Sequence, residues 1–419
     1  MIRRILNSGN IRNVMTLSSG TIVAQVIGMV SAPILTRLYL PGEFGAFAIY
    51  LNGVMLISTI SCLRYEMTIV LVKQHRTAVL LVFLSVLIAS ALSLGLWGFI
   101  AAFEDGIHAM VGLGHENHLL LALPVSLVLV SLYKIAGYWA VRSKDFAGLS
   151  LSKIWQSVPQ TTGQISLGLI HCGVWGLVIG EMVGRLLGLL TLVLRSRKAL
   201  FIQSPIRLQR GLTLLSYYRQ YPLYSTWSGL INEAGSVAPV FFLATFYGGG
   251  TAGLFALVQR VFALPMDLIG QTASTFYTAE ASNAIRTGPK RLYGFFIKTV
   301  ASLLALAVVP VALLLWSGPS VFGVVFGQEW HTAGTYAQIM AVAYGMRLAV
   351  FPISQTMQML GRQRLILFIE ATRLLSIVGV FAYAYVLKLS VEVALAEYSA
   401  ILVGFYICMF VVSWRAVKA

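Results

Sequence analysis

VMTLSSGTIVAQVIGMVSAPILTRLYLPGEFGAFAIY, Val14 to Tyr50, decides how the rest of the chain is read. It opens with an apolar run long enough to cross a bilayer as a helix, which takes about 20 residues. Arg37 sits near the far end of that run, Leu40-Pro41-Gly42 turns the chain, and GEFGAFA begins a second apolar segment. The pattern returns as VAPVFFLATFYGGGTAGLFALVQRV, Val237 to Val261. Ala32-Pro33 is echoed by Ala238-Pro239, and Gly42, Gly45, Phe47 and Ala48 by Gly250, Gly253, Phe255 and Ala256. The second set is displaced by 208 positions, about half of the 419 residues, and reads as an internal duplication.

The chain is 58% hydrophobic and 11% charged, where an ordinary soluble domain is roughly 25% charged. That is too little charge to cover a soluble surface, so the chain reads as an all-α polytopic membrane protein. Twelve apolar segments stand out: 14–39, 43–63, 77–103, 119–141, 153–171 and 174–194, then 221–246, 251–271, 292–316, 334–359, 364–387 and 393–414. Arg3, Arg4 and Arg12 precede the first of them, which is too long for the apolar core of a signal peptide and has no A-x-A-like site after it. It is expected to remain as the first helix. Cys62, Cys172 and Cys408 are isolated in apolar surroundings, which argues against a disulfide framework, a zinc site or thiol chemistry.

The net charge of +16 points to topology before it points to a nucleic-acid partner. Of the 30 basic residues, 23 fall in alternate loops and at the two ends, whereas 104–118, 171–173, 247–250 and 317–333 hold none. Lys388 alone lies near that poorer side. By the positive-inside rule both termini face the cytoplasm, with an even number of spans. The longest basic stretch, 195–220, reads as a cytoplasmic connector between a six-helix bundle at 1–194 and another at 221–419. Both halves start on the same side, so the repeats are parallel, and a substrate path is expected between them. No segment outside the membrane is long enough for a catalytic domain.

Seven basic residues fall outside the cytoplasmic loops: Arg37, Lys134, Arg185, Arg260, Arg347, Arg373 and the edge residue Lys388. A charge at membrane depth costs about 2.5–3.5 kcal/mol on insertion scales, so each needs a partner or a wet cavity. Glu181 with Arg185 (i,i+4) and Glu370 with Arg373 (i,i+3) share helix faces. Such pairs either neutralise each other and permit insertion or contribute to a binding cavity. Arg37 and Lys388 are placed to snorkel toward an interface. Arg260 and Arg347 lie mid-helix with no acid at i±3 or i±4, and Lys134 resembles them; all three are candidates to line a cavity. Surplus positive charge there suits an anionic ligand, because guanidinium groups match phosphate oxygens bidentately. The segment KIWQSVPQTTGQISLGLI is rich in Gln and Thr, which suit either sugar hydroxyls or helix–helix hydrogen bonds. Glu66, in LRYEMTIVL, stands at the cytoplasmic mouth beside Arg64, either as an ion-exchanging carboxylate or as an interfacial ion pair. The outer HENH stretch, His115 to His118, offers metal donor types without a metal-site pattern, and no nucleophile elbow, Walker motif or cofactor motif is present.

These motifs resemble the polysaccharide-exporter branch of the multidrug/oligosaccharidyl-lipid/polysaccharide (MOP) superfamily, the O-antigen (Wzx-type) flippases. The matching stretches are LSSG at 17–20 running to APILTRLYLPGEFGAFA, LRYE with its IVL run, and ALVQRVFALPMDLIGQT, Ala256 to Thr272. The resemblance implies a V-shaped, MATE-like pair of six-helix bundles in the bacterial inner membrane. It implies movement of an undecaprenyl-pyrophosphate-linked glycan from the cytoplasmic to the periplasmic leaflet by alternating access, coupled to H+ or Na+. Arg37 and Arg260 become candidates for holding the pyrophosphate or acidic sugars, and Glu66 and Asp267 for ion coupling. Membrane lipids and a polysaccharide polymerase or chain-length machinery are the partners it implies; no cofactor is expected. Two rivals stand beside it. A cation-coupled drug antiporter of the same superfamily calls for an acid-dominated cavity. An O-antigen polymerase or ligase calls for a sizeable catalytic outer loop, and the longest outer loops here span 15 to 17 residues.

Overall fold

A computed structural model describes residues 9–111, 119–200, 208–287, 289–359 and 362–418. The basic residues Arg3, Arg4 and Arg207 and the HENH stretch at 115–118 lie outside the described residues. Every apolar segment anticipated from the sequence falls on a helix. In the first half these are α1 (Gly9–Leu38), α2 (Pro41–Ser58), α3 (His75–Val111), α4 (Leu119–Arg142), α5 (Phe146–Leu169) and α6 (Val174–Leu200). In the second they are α7 (Thr226–Tyr247), α8 (Gly249–Pro265), α9 (Pro289–Phe326), α10 (His331–Met359), α11 (Gln363–Val386) and α12 (Val391–Lys418). Among the described residues there is no strand, as expected where hydrocarbon leaves the backbone to satisfy its own hydrogen bonds. Nine of the described helical segments are long and apolar enough to cross a membrane by length and composition, which makes this a multi-pass membrane protein. The other three expected segments correspond to α2, α5 and α8, of 18, 24 and 17 residues.

Residues 104–111 and most of 317–333, expected in outer loops, are instead helical, and 112–118 lie outside the described residues. α3 breaks at Phe103 (φ −128°, ψ 28°) and continues to Val111; α9 breaks at Ser317 (φ −131°, ψ 17°) and continues to Phe326. The physical reason is local: a single non-helical residue redirects the chain, and the residues after it close their own helical hydrogen bonds. The two breaks fall at equivalent places in the repeats.

The chain divides into two compact units. The first comprises Met1–Tyr39 with Ala46–Glu233, the second Leu40–Gly45 with Ala234–Ala419. Within the first, α5 packs lengthwise on α6 and on α1. Gly180, Gly184 and Gly188 bring the α6 backbone against Gln164, Gln160 and Gln156 of α5, so close that a Cβ at Gly184 would stand 2.5 Å from the Gln156 carbonyl. Gln164 Nε2 donates to the Leu177 carbonyl (3.0 Å), and Tyr39 Oη donates to the Gln164 carbonyl (2.7 Å). The polar face of α5 is therefore engaged in helix–helix packing. Ser157 Oγ and Lys153 Nζ extend the same chemistry to α1, donating to the Ala24 carbonyl (3.0 Å) and to Thr21 Oγ1 (2.6 Å).

Within the second unit α10 packs on α9 and α12. Its α7 and α11, the repeat counterparts of α1 and α5, meet through rings: Phe242 stacks on Phe381 (5.3 Å between centroids) and Phe246 on Tyr385 (4.5 Å). The corresponding pair is thus joined by the Ser157 and Lys153 hydrogen bonds in one repeat and by aromatic area in the other. The duplicated turn also closes in the second unit. A Cβ on Gly45 would stand 1.8 Å from the Gly249 carbonyl oxygen, and one on Gly253 would stand 1.8 Å from that of Pro41. The contact is reciprocal: each matched glycine meets the residue four places before its partner. Tyr39 and Tyr247, again 208 positions apart, each cap the turn by donating to a remote carbonyl, Gln164 and Leu389 (3.1 Å) respectively.

Candidate functional site

Both units hold charged groups at depth. In the first, the chain leaves α2 through a tight turn in which Leu63 (φ 50°) and Arg64 (φ 62°) both occupy the left-handed region. Each such residue costs on the order of 1–3 kcal/mol and persists only where its surroundings dictate it. Here they do. Tyr65 Oη donates to the Leu215 carbonyl (3.0 Å), Thr68 Oγ1 to the Tyr65 carbonyl (2.7 Å), and the Arg142 guanidinium to the carbonyls of Ile69 (3.0 Å), Val72 and Lys73 (3.1 Å).

The turn carries two charges inward. Arg64 lies flat on Gly229 of α7, where a Cβ would fall 2.0 Å from Nη2. Glu66 is buried, 4% exposed, and its Oε2 makes no hydrogen bond. Lys134 of α4 donates to the Ser58 carbonyl (3.1 Å) and to Ser58 Oγ (2.8 Å), within electrostatic reach of Glu66, Arg64 and Glu233. Glu66 lies between the segments 43–63 and 77–103. Burial pushes its carboxyl above the ordinary carboxylate range, which its own backbone hydrogen bond, Lys134 and Arg64 offset only in part. Folded protein therefore binds more protons than unfolded at this position, and stability falls as pH rises through the window between the ordinary value, about 4.3, and the raised one. Glu66→Gln is expected to raise the melting temperature by a few degrees at pH 8, with the gain vanishing toward pH 4. A gain that grows on acidification would contradict this burial.

α6 carries the second charged pair of this unit. Arg185 Nε donates to Glu181 Oε1, with the side chains 8% and 2% exposed. The hydroxyls of Tyr50 and Tyr133 lie within electrostatic reach of Arg185 and are held by Ser126 and by Ser152 (3.2 Å). Arg37 stands exposed in the last turn of α1, where the helix dipole favours a cation.

In the second unit Arg373 pairs with Glu370 (2.8 Å) and lies 5.2 Å from the ring centre of Phe405. Arg347 is exposed at mid-helix on α10 and makes no ion pair with any described residue. Both arginines are within electrostatic reach of the buried Tyr398 and Tyr406 of α12, and Tyr344, also beside Arg347, stacks on Phe262 of α8 (4.2 Å, planes 11° apart). Arg260 is half-buried on α8. Asp267 belongs to the π-helical turn Met266–Gly270, and its side chain lies outside the described residues.

The structure thus places Lys134 within electrostatic reach of Glu66, and Arg347 and Arg373 within reach of the same two tyrosines. The sequence reading did not single out Ser58, Gly229 or the tyrosines. Tyr398 and Tyr406, eight residues apart on α12, share a helix face, which is a signal of the right kind. Among the described residues no three His, Cys, Asp or Glu side chains are grouped to hold a metal.

A family model described as "Polysaccharide biosynthesis protein" matches residues 34–334. The succinoglycan biosynthesis transport protein ExoT of Rhizobium meliloti (strain 1021) is 22% identical over 361 residues, spanning 84% of this chain and 70% of that protein. Two solved structures share the fold at 13% identity and a TM-score of 0.73. One is an inward-facing MATE family multidrug resistance transporter of the MOP superfamily (97% of this chain, 98% of that one). The other is the lipid II flippase MurJ in an inward closed conformation (97% and 88%).

Proposed function

The chain belongs to the polysaccharide biosynthesis protein family, and from that premise we propose that it moves an undecaprenyl-pyrophosphate-linked oligosaccharide from the cytoplasmic to the periplasmic leaflet of the bacterial inner membrane. Both termini then lie in the cytoplasm, as the basic loops require. One observation carries the proposal: Arg347, at the middle of a membrane-length helix, is exposed and has no carboxylate partner among the described residues. A guanidinium facing hydrocarbon would cost at least about 2.5 kcal/mol, so it faces water or a ligand. With Arg373 and the tyrosine hydroxyls of α12 it offers charge for phosphate and hydrogen bonds for sugars. Arg37, Lys134, Arg185 and Arg260 are further headgroup candidates, and Glu66 and Asp267 carry ion coupling. Flipping needs no bond made or broken, only shelter for a headgroup that hydrocarbon would reject.

The MATE-like fold also accommodates a drug antiporter. An exporter of cations would place carboxylates where these arginines stand. Deletion of the gene, with lipid-linked oligosaccharide assayed in inside-out and right-side-out vesicles, separates the two readings. Substrate should accumulate on the cytoplasmic face and be cleared by the wild-type gene, but at least tenfold less by Arg347→Ala or Arg260→Ala. Normal leaflet distribution together with altered sensitivity to cationic drugs would overturn the flippase reading.

A further inference from the structure

A ten-residue helix, Leu208–Tyr217, precedes α7 in the first unit. At about 15 Å it is too short to cross a bilayer. One side of it is fixed to the bundle. A Cβ on Gly211 would stand 3.3 Å from Leu84 of α3, Leu214 packs on the cluster of Ile69, Ala78 and Trp139, and the Leu215 carbonyl accepts from Tyr65 Oη (3.0 Å). Thr213 and Ser216 are exposed on the other side. Three exposed rings then follow at helical spacing: Tyr217, Tyr224 and Trp227, 77%, 73% and 61% accessible. They stand at the start of the membrane-length segment Tyr221–Tyr247. Edge-on contacts of Tyr218 with Tyr217 (4.9 Å) and with Tyr221 (6.3 Å) hold the stretch together. Trp227 is two residues from Gly229, roughly 200° around α7, so it faces away from Arg64.

The charges near these rings have one sign. Arg219, Lys73 and Arg76 are exposed, and Val72, next to Lys73, packs on the same cluster as Leu214. The sequence holds no Asp or Glu between Glu66 and Glu104, and none between Glu181 and Glu233. Asp145, in the turn between α4 and α5, is already paired with Arg195 (2.8 Å).

We propose that Tyr217, Tyr224 and Trp227, with Arg219, Lys73 and Arg76, form a docking site for the headgroups of anionic phospholipids. Rings that carry an O–H or N–H at the end of a span belong at headgroup level, where one edge is apolar and the other wet. A basic group near an anionic leaflet is worth about fivefold in lipid partition, so three of them select charged lipid over neutral. A neutral bilayer would satisfy the rings alone, and a soluble acidic protein the cations alone. An anionic bilayer satisfies both. Because the helix is bonded to Tyr65 and packed on α3, the site is presented by the folded first unit and not by a loose linker. It lies on the side of α7 away from Arg64, and it does not rest on the flippase reading.

The test uses the full chain in nanodiscs of equal parts phosphatidylglycerol and phosphatidylcholine, with bromine on the acyl chains of one lipid or of the other. Bromine quenches a nearby indole, and the difference between wild type and Trp227→Phe isolates the signal of Trp227 from those of the other tryptophans. Brominated phosphatidylglycerol should quench Trp227 at least twice as strongly as brominated phosphatidylcholine. Raising salt from about 0.1 M to about 1 M shortens the screening length from roughly 10 Å to roughly 3 Å and should remove the preference. Lys73→Gln, Arg76→Gln and Arg219→Gln combined should remove it too, while leaving the quenching by phosphatidylcholine in place; a melting curve like the wild type's confirms that this variant folds. Equal quenching by the two lipids would leave an aromatic belt without charge selection and overturn the proposal. Absence of quenching by either would overturn it as well, since Trp227 would then face water or a protein partner. A preference that survives loss of the three cations would assign the selection to other groups and remove this site.

Discussion

Valine at Gly253 should leave almost no folded protein, and valine at Gly45 should do the same. A Cβ at either position would stand 1.8 Å from a backbone oxygen, that of Pro41 or of Gly249. Neither atom can swing aside as a flexible side chain would, so relief requires the segments themselves to separate. Filling a packed site beyond its volume costs about 1–3 kcal/mol where side chains adjust, and more where only backbone can move. Because the contact is reciprocal, opening it for one glycine also unpacks the other. Gly42 and Gly250 make the internal control: they belong to the same repeated motif, yet a Cβ on either meets nothing within 4 Å. Size-exclusion profiles of a fluorescent fusion should therefore fall to about a tenth of wild type for Gly45→Val and Gly253→Val, and stay near wild type for Gly42→Ala and Gly250→Ala. Wild-type yield from Gly253→Val would mean that the two turns do not meet in the native protein.

The same four positions show what the sequence discloses and what it withholds. Periodicity and spacing expose the duplication, because matched residues need only be counted. Which matched glycines touch is a tertiary fact, and it divides a motif that looks uniform on paper. Ion pairs follow the same rule. Glu181–Arg185 and Glu370–Arg373 are legible because helical spacing alone places both ends on one face. Lys134 meeting Ser58 within electrostatic reach of Glu66, or Arg347 within reach of Tyr398 and Tyr406, depends on how distant helices pack, and no local pattern encodes it. The helices beyond Phe103 and Ser317 read as loops in the sequence because apolar runs stop there, whereas backbone hydrogen bonding depends on local geometry and not on side-chain polarity. The glutamines of α5 left two readings open, and the glycines of α6 that decide between them become relevant only once the two helices are side by side.

Arg185→Ala should be among the most destabilising single changes in the first unit. Its guanidinium and the Glu181 carboxylate are both almost fully enclosed, so removing one leaves the other buried and uncompensated. Such deletions cost about 3–5 kcal/mol, whereas replacing both partners by apolar groups of similar volume is often neutral. Arg185→Met combined with Glu181→Leu should accordingly recover most of the melting temperature that Arg185→Ala loses. The double variant then answers a question that the single one leaves confounded. If it folds and clears lipid-linked oligosaccharide from the cytoplasmic face as the wild type does, Arg185 serves Glu181, and the headgroup charges are those of the other candidates. If it folds as well but clears tenfold less, the charge itself is needed by the cargo. In that case Tyr50 and Tyr133, whose hydroxyls lie within electrostatic reach of Arg185, are the groups to replace next. A double variant as unstable as Arg185→Ala would show that the pair does more than compensate charge, by holding α6 against the helices that carry those tyrosines.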